Sequence, residues 1–569
     1  MCGIAGIIGE RYTREDLAKM LQTITHRGPD SSLEYEDHEC LLGHNRLSII
    51  DLSSRANQPF SDKSGRYQLV FNGEIYNYRE LKSEIGNRYD FKTNSDTEVL
   101  IAAYIVFGKE CLEKLNGMFA FAIWDKQQKL LFAARDRFGV KPFYYSKNHS
   151  NLIFASEIKA IHSLIPVVPN EKTWAKYLSY GSYGDPHSTF YKDVLQLEAG
   201  HYLEYRSGKL KNQCWYNFSE KIEQANTEDF SEIAIKRRYT ELLEDSIKLR
   251  FRADVEVGFN LSGGVDSSLL LALVNQIFPA KNIKAYTFYT GDQRYDELPW
   301  VEKMIQKTGN PLRKIKLNYE EVPELSENIG NFQDEPFGGI PTLAYSKIFR
   351  AAAKEGIRVL LDGQGMDEQW AGYDYYNTKN DTPVQGTQIS PFCLSAIHSD
   401  FLKIAEKPVY PVPFSSCLQN QQFRDLFYTK LPRALRFNDR ISMASSTELR
   451  EPFLDYRLVE LAFSLPDEMK IRGSIQKYIL REIVKEYVPF EIAEAPKRAL
   501  QTPQREWLGK ELRTFVTGKI DCLFASEFSN WFNKDQLYRE WKRYQMGSNE
   551  TSFYIWQWIN TALMAKNCS

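Results

Sequence analysis

The chain has 569 residues, of which 43% are hydrophobic and 26% charged, so it is long enough to bury more than one core. Lys and Arg number 72 against 74 Asp and Glu, a formal net charge of −2. That balance excludes the basic excess of a nucleic-acid binder, an acidic tail and a polybasic membrane anchor. No apolar run approaches the roughly 20 residues that span a bilayer, and the opening MCGIAGIIGE lacks the basic start of a secretory signal. The eight cysteines form no CxxC and no regular spacing, so mostly reduced thiols and a cytoplasmic location are expected. Seven of the eight histidines lie at or before His201. Chemistry in the later part of the chain is therefore expected to run without a histidine base or a histidine-bound metal.

In chain order, residues 1–200 alternate short apolar runs with turns. The run 95–108 sits behind a Ser/Asp cap and has the length and spacing of a helix. The runs 117–125 and 129–136, joined by a polar turn, read as a β-hairpin, and PFYYS and NLIFASE as further strands. The polar stretch around 216–232 reads as a linker. Beyond it the pattern changes to strand–loop–helix units. Val255, Val257, Phe259 and Leu261 alternate toward SGGVDSS, and SLLLALVNQI follows as a helix. Further strands are expected at 283–290, 313–319 and 357–363, separated by helices such as TLAYSKIFRAAAKEG. Such alternation predicts an α/β domain with a parallel sheet and helices on both faces, whose ligands sit beyond the carboxyl ends of the strands. Two Gly-rich loops carrying Asp, SGGVDSS (262–268) and DGQGMDEQWAGY (362–373), occupy such ends. The region 375–430 shows no readable pattern and is expected as an insertion.

Cys2 follows the initiator Met, and its small side chain permits removal of that Met. A nucleophile at the chain start can use its own α-amine as activating base. Its companions are HRGPDSS (26–32), RLSIIDL (46–52), FNGEIYNYREL (71–81), SDTEVL (95–100) and RDRFGVKPFYY (135–145). With the opening CGIAG, these ordered blocks resemble the glutaminase domain of class II glutamine amidotransferases. The resemblance implies a layered αββα N-terminal-nucleophile fold over 2–205, with 206–232 as linker and 233–569 as a second domain. It further implies that Cys2 attacks the glutamine side-chain amide, with Asn72 and the backbone N–H of Gly73 as oxyanion hole. Arg46 would pair with the α-carboxylate of glutamine, Leu47, Ser48, Ile49 and Ile50 would line the same site, and Glu74 and Asp96 would take the α-ammonium.

LSGGVDSS (261–268) lies between a strand and a helix. Its glycines let backbone N–H groups approach an anion, and Ser262, Ser267 and the helix N-terminus add donors. The lysine of a Walker A loop is missing. Ser-Gly-Gly-x-Asp-Ser instead resembles the pyrophosphate loop of ATP pyrophosphatases, which cleave ATP between its α and β phosphates. On that resemblance Leu261, Ser262, Gly263, Gly264, Asp266, Ser267, Ser268, Phe288, Asp362 and Gly363 would bind ATP. Asp266 and Asp367 would hold Mg²⁺, a hard cation that shares oxygen ligands with phosphates.

DEPFGGIPT (334–342), the long block 436–466, KYILREIV (477–484) and PKRALQTPQREWL (496–508) extend the likeness. Over nearly its whole length the chain resembles glutamine-hydrolysing asparagine synthetases. The resemblance implies adenylation of a carboxylate by ATP, and displacement of AMP by ammonia that travels internally from Cys2. Lys497 would stabilise charge at this step, and Arg450 could hold the acceptor carboxylate or serve as a structural ion pair. The family's frequent dimers leave a homodimer open. Two departures stand out. Gln364 replaces a family glutamate proposed to take a proton from attacking ammonia, and a neutral amide cannot be that base, although it can orient ammonia. Ala499 and Leu500 stand where the family usually has Gly-Phe. The leading expectation is asparagine from aspartate, glutamine and ATP. The alternatives are the same chemistry on another carboxylate, such as a uronic acid of a surface polysaccharide, and a glutaminase or regulatory protein whose second half binds nucleotide without catalysis.

Overall fold

The computed structural model describes residues 1–148, 150–225, 231–279, 282–377, 390–495 and 501–565. Through Cys214 the chain forms β1 (Gly3–Ile8), β2 (Ser31–Glu36), β3 (Cys40–Arg46), β4 (Phe60–Ser61), β5 (Tyr67–Ile75), β6 (Gly117–Asp125), β7 (Leu130–Arg135), β8 (Tyr144–Asn148), β9 (Asn151–Ala155), β10 (Leu195–Gln196), β11 (His201–Arg206) and β12 (Lys209–Cys214). They build two antiparallel sheets, ordered β10-β8-β9-β1-β3-β2 and β12-β11-β7-β6-β5-β4.

Strand parity makes the layers. Ile4 and Ile8 of β1 meet Val70, Ala122 and Leu131 of the other sheet, whereas Ala5 and Ile7 meet Leu17 and Met20 of the helix Arg14–Thr23. On the second sheet Leu69, Phe71 and Ile75 pack under the helix Asp96–Phe107 through Val99 and Leu100. The result is the expected αββα sandwich. The helix begins where the sequence predicts, because the Ser95 hydroxyl accepts from the Thr97 N–H. The segment expected as a linker is more structured than its polarity suggests. Lys209–Cys214 is an edge strand that continues the second sheet, and Phe218–Gln224 is a helix whose Phe218 packs on Phe463.

The second half holds a five-stranded parallel sheet of β13 (Val257–Asn260), β14 (Ala285–Tyr289), β15 (Leu312–Lys316), β16 (Val359–Leu361) and β17 (Glu448–Arg450), ordered β15-β14-β13-β16-β17. Phe259 and Leu361 face Leu269 and Leu273 of the helix Val265–Ile277. Leu360 and Leu449 face Leu343 and Ile348 of the helix Ile340–Lys354 on the opposite side. The order reverses between β13 and β16, and that switch point is where open α/β sheets take their ligands. The loops after β13 and β16 are the two Gly-rich segments. β17 was not expected from the sequence; three residues in a charged stretch carry too little alternation to read as a strand. Within the region 375–430, residues 378–389 lie outside the described part, and Cys417–Phe427 is a helix. Leu47, Ile49 and Phe138 share a core with Leu435, Met443 and Leu454, so the two halves are packed together. Among the described residues no helix is long and apolar enough to cross a membrane.

Candidate active site

The first centre forms where β1 begins beside the end of β5. The Cys2 N–H donates to Asn72 Oδ1 at 3.1 Å, because Asn72 shares the inward parity of Val70. Arg27 Nε donates to the Cys2 carbonyl at 3.1 Å, fixing the other side of the same residue. The thiol lies 3.8 Å from the Leu47 carbonyl. Burial pushes its pKa up, opposed chiefly by the charge of the chain's terminal amine. Gly73 has φ +151°, and a Cβ there would overlap the Met118 carbonyl of β6, so this close strand approach admits glycine.

The charges expected around glutamine gather at the same end of the sandwich. Arg46 closes β3, and a turn of acceptors holds its guanidinium: the Ser53 carbonyl at 2.8 Å, Asn57 Oδ1 at 2.6 Å and the Asp51 carbonyl. Leu47, Ile49 and Ile50 are buried beside it, and the Ser48 N–H donates to Asp30 at 2.8 Å. Asp96 accepts from the Ile75 N–H at 2.9 Å, and burial pushes it up to about 6. Glu74 is raised by burial and by the nearby Glu448 and Asp96 carboxylates. The Met1 amine pairs with Glu448 at 3.1 Å, both groups fully buried.

Arg450 requires a correction. It does not face an acceptor pocket: its side chain has no exposure and pairs with Glu448 at 2.5 Å and with Glu74 at 3.6 Å. It also donates to the carbonyls of Arg250 and Arg252. A guanidinium buried between two carboxylates at the seam between the halves is a structural ion pair.

The second centre is a cavity of about 400 Å³ at the switch point. Leu261, Ser262, Gly263, Gly264, Asp266, Ser267, Phe288, Asp362, Gly363, Gln364 and Asp367 all line it. The Ser262 and Ser267 hydroxyls lie 2.9 Å apart, and the Gly263 N–H donates to Glu297 at 3.1 Å. Asp362 is held by the Tyr345 hydroxyl and the Gly363 N–H, each at 2.6 Å. Ser268 departs from expectation. It points away from the cavity lining and is fully buried under the loop, as helical spacing from Ser267 dictates.

Asp266 lies in the first loop, at the start of the helix Val265–Ile277, and Asp367 lies in the second, yet one cation serves both. Lys477 Nζ stands 2.6 Å from Asp266 and 2.7 Å from Asp367. Burial lowers the Lys477 pKa, but the two carboxylates more than reverse it. Lys477 holds φ +54°, a conformation uncommon for a side-chain-bearing residue and one that clusters at functional sites. Gly372 makes room: a Cβ there would overlap both Asp367 Oδ1 and Lys477 Cε. This donor set suits Mg²⁺, being two hard carboxylates already close enough to share one positive charge.

Two family models cover the chain: a glutamine amidotransferase domain over residues 1–216 and asparagine synthase over residues 238–566. The chain belongs to the asparagine synthase family. It is 28% identical to asparagine synthetase [glutamine-hydrolyzing] 1 of Bacillus subtilis, over 98% of this chain and 95% of that protein. It is 31% identical to asparagine synthetase [glutamine-hydrolyzing] 3 of the same organism, over 86% and 85%. It is also 28% identical to amidase chry2 of Gibberella zeae, over 91% of each chain.

As a member of the asparagine synthase family, the chain is a carbon–nitrogen ligase that uses glutamine as amido donor and ATP to drive amidation. The fold brings Cys2, Asn72 and Gly73 together in one half, and Asp266, Gln364 and Asp367 in the other. Lys497, with Ala499 and Leu500, lies outside the described residues. Sequence reasoning missed Lys477, although KYILREIV was among the matched blocks, because nothing local marks a lysine that meets Asp266, 211 residues earlier in the chain, and Asp367. It also missed Lys430 and Arg433, which line the same cavity.

Proposed function

We propose that the enzyme converts aspartate, glutamine and ATP into asparagine, glutamate, AMP and pyrophosphate. With Met1 removed, the Cys2 amine would act as base for its own thiol, which attacks the glutamine amide. Asn72 and the Gly73 N–H would steady the oxyanion, while Arg46 and Asp96 hold the amino-acid end. Water then releases glutamate, and ammonia passes internally to the second centre.

There an acceptor carboxylate oxygen attacks the α-phosphorus of ATP, and pyrophosphate leaves. Ammonia then attacks the acyl carbon and AMP departs. Ser262, Ser267 and the N-terminus of the helix Val265–Ile277 supply donors for the phosphates. Asp266 and Asp367 would hold Mg²⁺, which on binding offsets phosphate charge. Gln364 orients ammonia by hydrogen bonding and takes no proton.

The observation that carries this reading is the bridge from Asp266 through Lys477 to Asp367. Two carboxylates from separate loops are kept together at the switch point. A second reading, amidation of another carboxylate such as a uronic acid, draws on the neutral Gln364 in the cavity lining. Purified protein with glutamine and Mg–ATP, with and without aspartate, tests the two. Aspartate-dependent pyrophosphate with matching asparagine is expected. Pyrophosphate release driven by a uronic acid and not by aspartate would favour the second reading.

A further inference from the structure

The helix Lys430–Met443 opens with a buried lysine. Lys430 is 5% exposed and forms no hydrogen bond or ion pair among the described residues. Its ammonium instead lies 5.1 Å from the centre of the Tyr373 ring and 5.2 Å from that of Tyr375. As the first residue of a 14-residue helix it meets the positive end of the helix dipole, which disfavours a cation.

The two nearest acids are each engaged with another group. Glu368 accepts from the Tyr373 hydroxyl at 2.6 Å. Asp425 accepts from the Tyr375 hydroxyl at 2.6 Å and pairs with Arg424 at 3.2 Å. Burial, with repulsion from Arg433 and Arg424, outweighs the attraction of Asp425 and Glu368 and brings the Lys430 pKa down to about 7. A buried lysine that meets ring faces but no directly paired anion costs stability until an anion arrives.

Arg433 lies one turn further along the same face. Its guanidinium has no hydrogen bond or ion pair among the described residues and stands 5.9 Å from the Tyr183 ring. It lines the nucleotide cavity and also an adjoining cavity of about 210 Å³ between the two halves. Both cations thus border the cavity that holds Asp266, Gln364 and Asp367.

We propose that Lys430 and Arg433 anchor a second anionic group of the acceptor, one retained while the other carboxylate is amidated. The assignment rests on the amidotransferase reading and deepens it: the acceptor is a dianion. Aspartate satisfies this through its α-carboxylate, and a simple uronic acid, with one carboxylate, does not. The anchor takes the place that the buried Arg450 cannot fill.

Pyrophosphate release with ammonia and Mg–ATP is the assay, using aspartate, succinate, 3-aminopropanoate (aspartate without its α-carboxylate) and glucuronate. The wild type is expected to use the dianions and to reject both monocarboxylates. Lys430→Met and, as a part-exposed second variant, Arg433→Met are each expected to raise the KM for the dianion by about tenfold, the worth of one charged hydrogen bond. Lys430→Arg restores it in part, and the KM for ATP and the glutaminase rate stay within about twofold. Unchanged acceptor KM in both Met variants overturns the anchor, as does a wild type that uses 3-aminopropanoate as well as aspartate. Use of succinate but not aspartate would remove the aspartate assignment and support the anchor. Use of glucuronate alone would overturn the anchor while sparing the amidation chemistry, and release with no carboxylate at all would overturn both.

Discussion

Arg27 donates two hydrogen bonds to the carboxylate of Asp439, 412 residues later, at 2.8 and 3.0 Å. The same guanidinium holds the Cys2 carbonyl. Asp439 belongs to the helix that begins at Lys430, so one helix touches both the nucleotide cavity and the support of the nucleophile. Both partners are buried, and Asp439 and Glu157 keep the Arg27 pKa raised against the cost of burial. Asp439→Asn leaves a buried guanidinium underpaired. It is expected to lower unfolding free energy by about 3–5 kcal/mol, measured by urea titration, and to reduce glutamine-dependent more than ammonia-dependent synthesis. A loss below about 1 kcal/mol would refute the weight given to this pair.

Gly372→Ala tests the packing that brings the two aspartates together. The added methyl overlaps Asp367 and Lys477, so the loop must shift. Pyrophosphate release is expected to fall by about 100-fold or more, with glutaminase activity retained. Normal release would mean that the Asp266–Lys477–Asp367 arrangement is dispensable.

Lys477→Met removes the cation that Asp266 and Asp367 share. Loss of this positioned charge is expected to cut AMP formation by about 100-fold with either nitrogen source. Initial-rate measurements with glutamine and with ammonium chloride settle the point. A defect confined to glutamine would contradict it.

Asp96 gives the glutaminase a pH dependence. Burial raises its pKa to about 6, with Glu448 adding to the rise while the Ile75 and Thr97 N–H groups and Arg450 oppose it. Above that pH it is ionised and can hold an α-ammonium; below it, protonation removes the charge. The KM for glutamine is therefore expected to rise as pH falls through about 6. Asp96→Asn should raise KM throughout and flatten that step. A step that persists in the variant would assign it to another group.

Local order was largely legible. The Ser95 cap, the hairpin at 117–136 and the two loops of the parallel sheet follow from spacing and turn chemistry that operate over a few residues. Cys2 and Asn72 could be paired because their sequence blocks resemble a known domain. The rest depends on contacts across hundreds of residues. Arg450 could be read as a substrate ligand or as a structural ion pair, and β17 decides for the second by turning it into the seam, where Glu448 and Glu74 meet it. Lys477 and Lys430 drew no reading of their own, because sequence patterning does not reveal that a lysine is buried. Ser268 sits one residue too far around its helix to follow Ser267 into the cavity.

The central claim is that one enzyme joins glutamine hydrolysis at Cys2 to ATP-driven amidation at Asp266 and Asp367. Glutamine labelled with ¹⁵N in its amide, supplied with aspartate, Mg–ATP and excess unlabelled ammonium, tests it most directly. The account predicts asparagine carrying ¹⁵N at its amide despite the unlabelled pool, with one pyrophosphate per asparagine. Substitution of Cys2 by Ala should leave synthesis from ammonium and abolish the label. Release of labelled ammonia and glutamate, without pyrophosphate and without label in any amide product, would contradict the account.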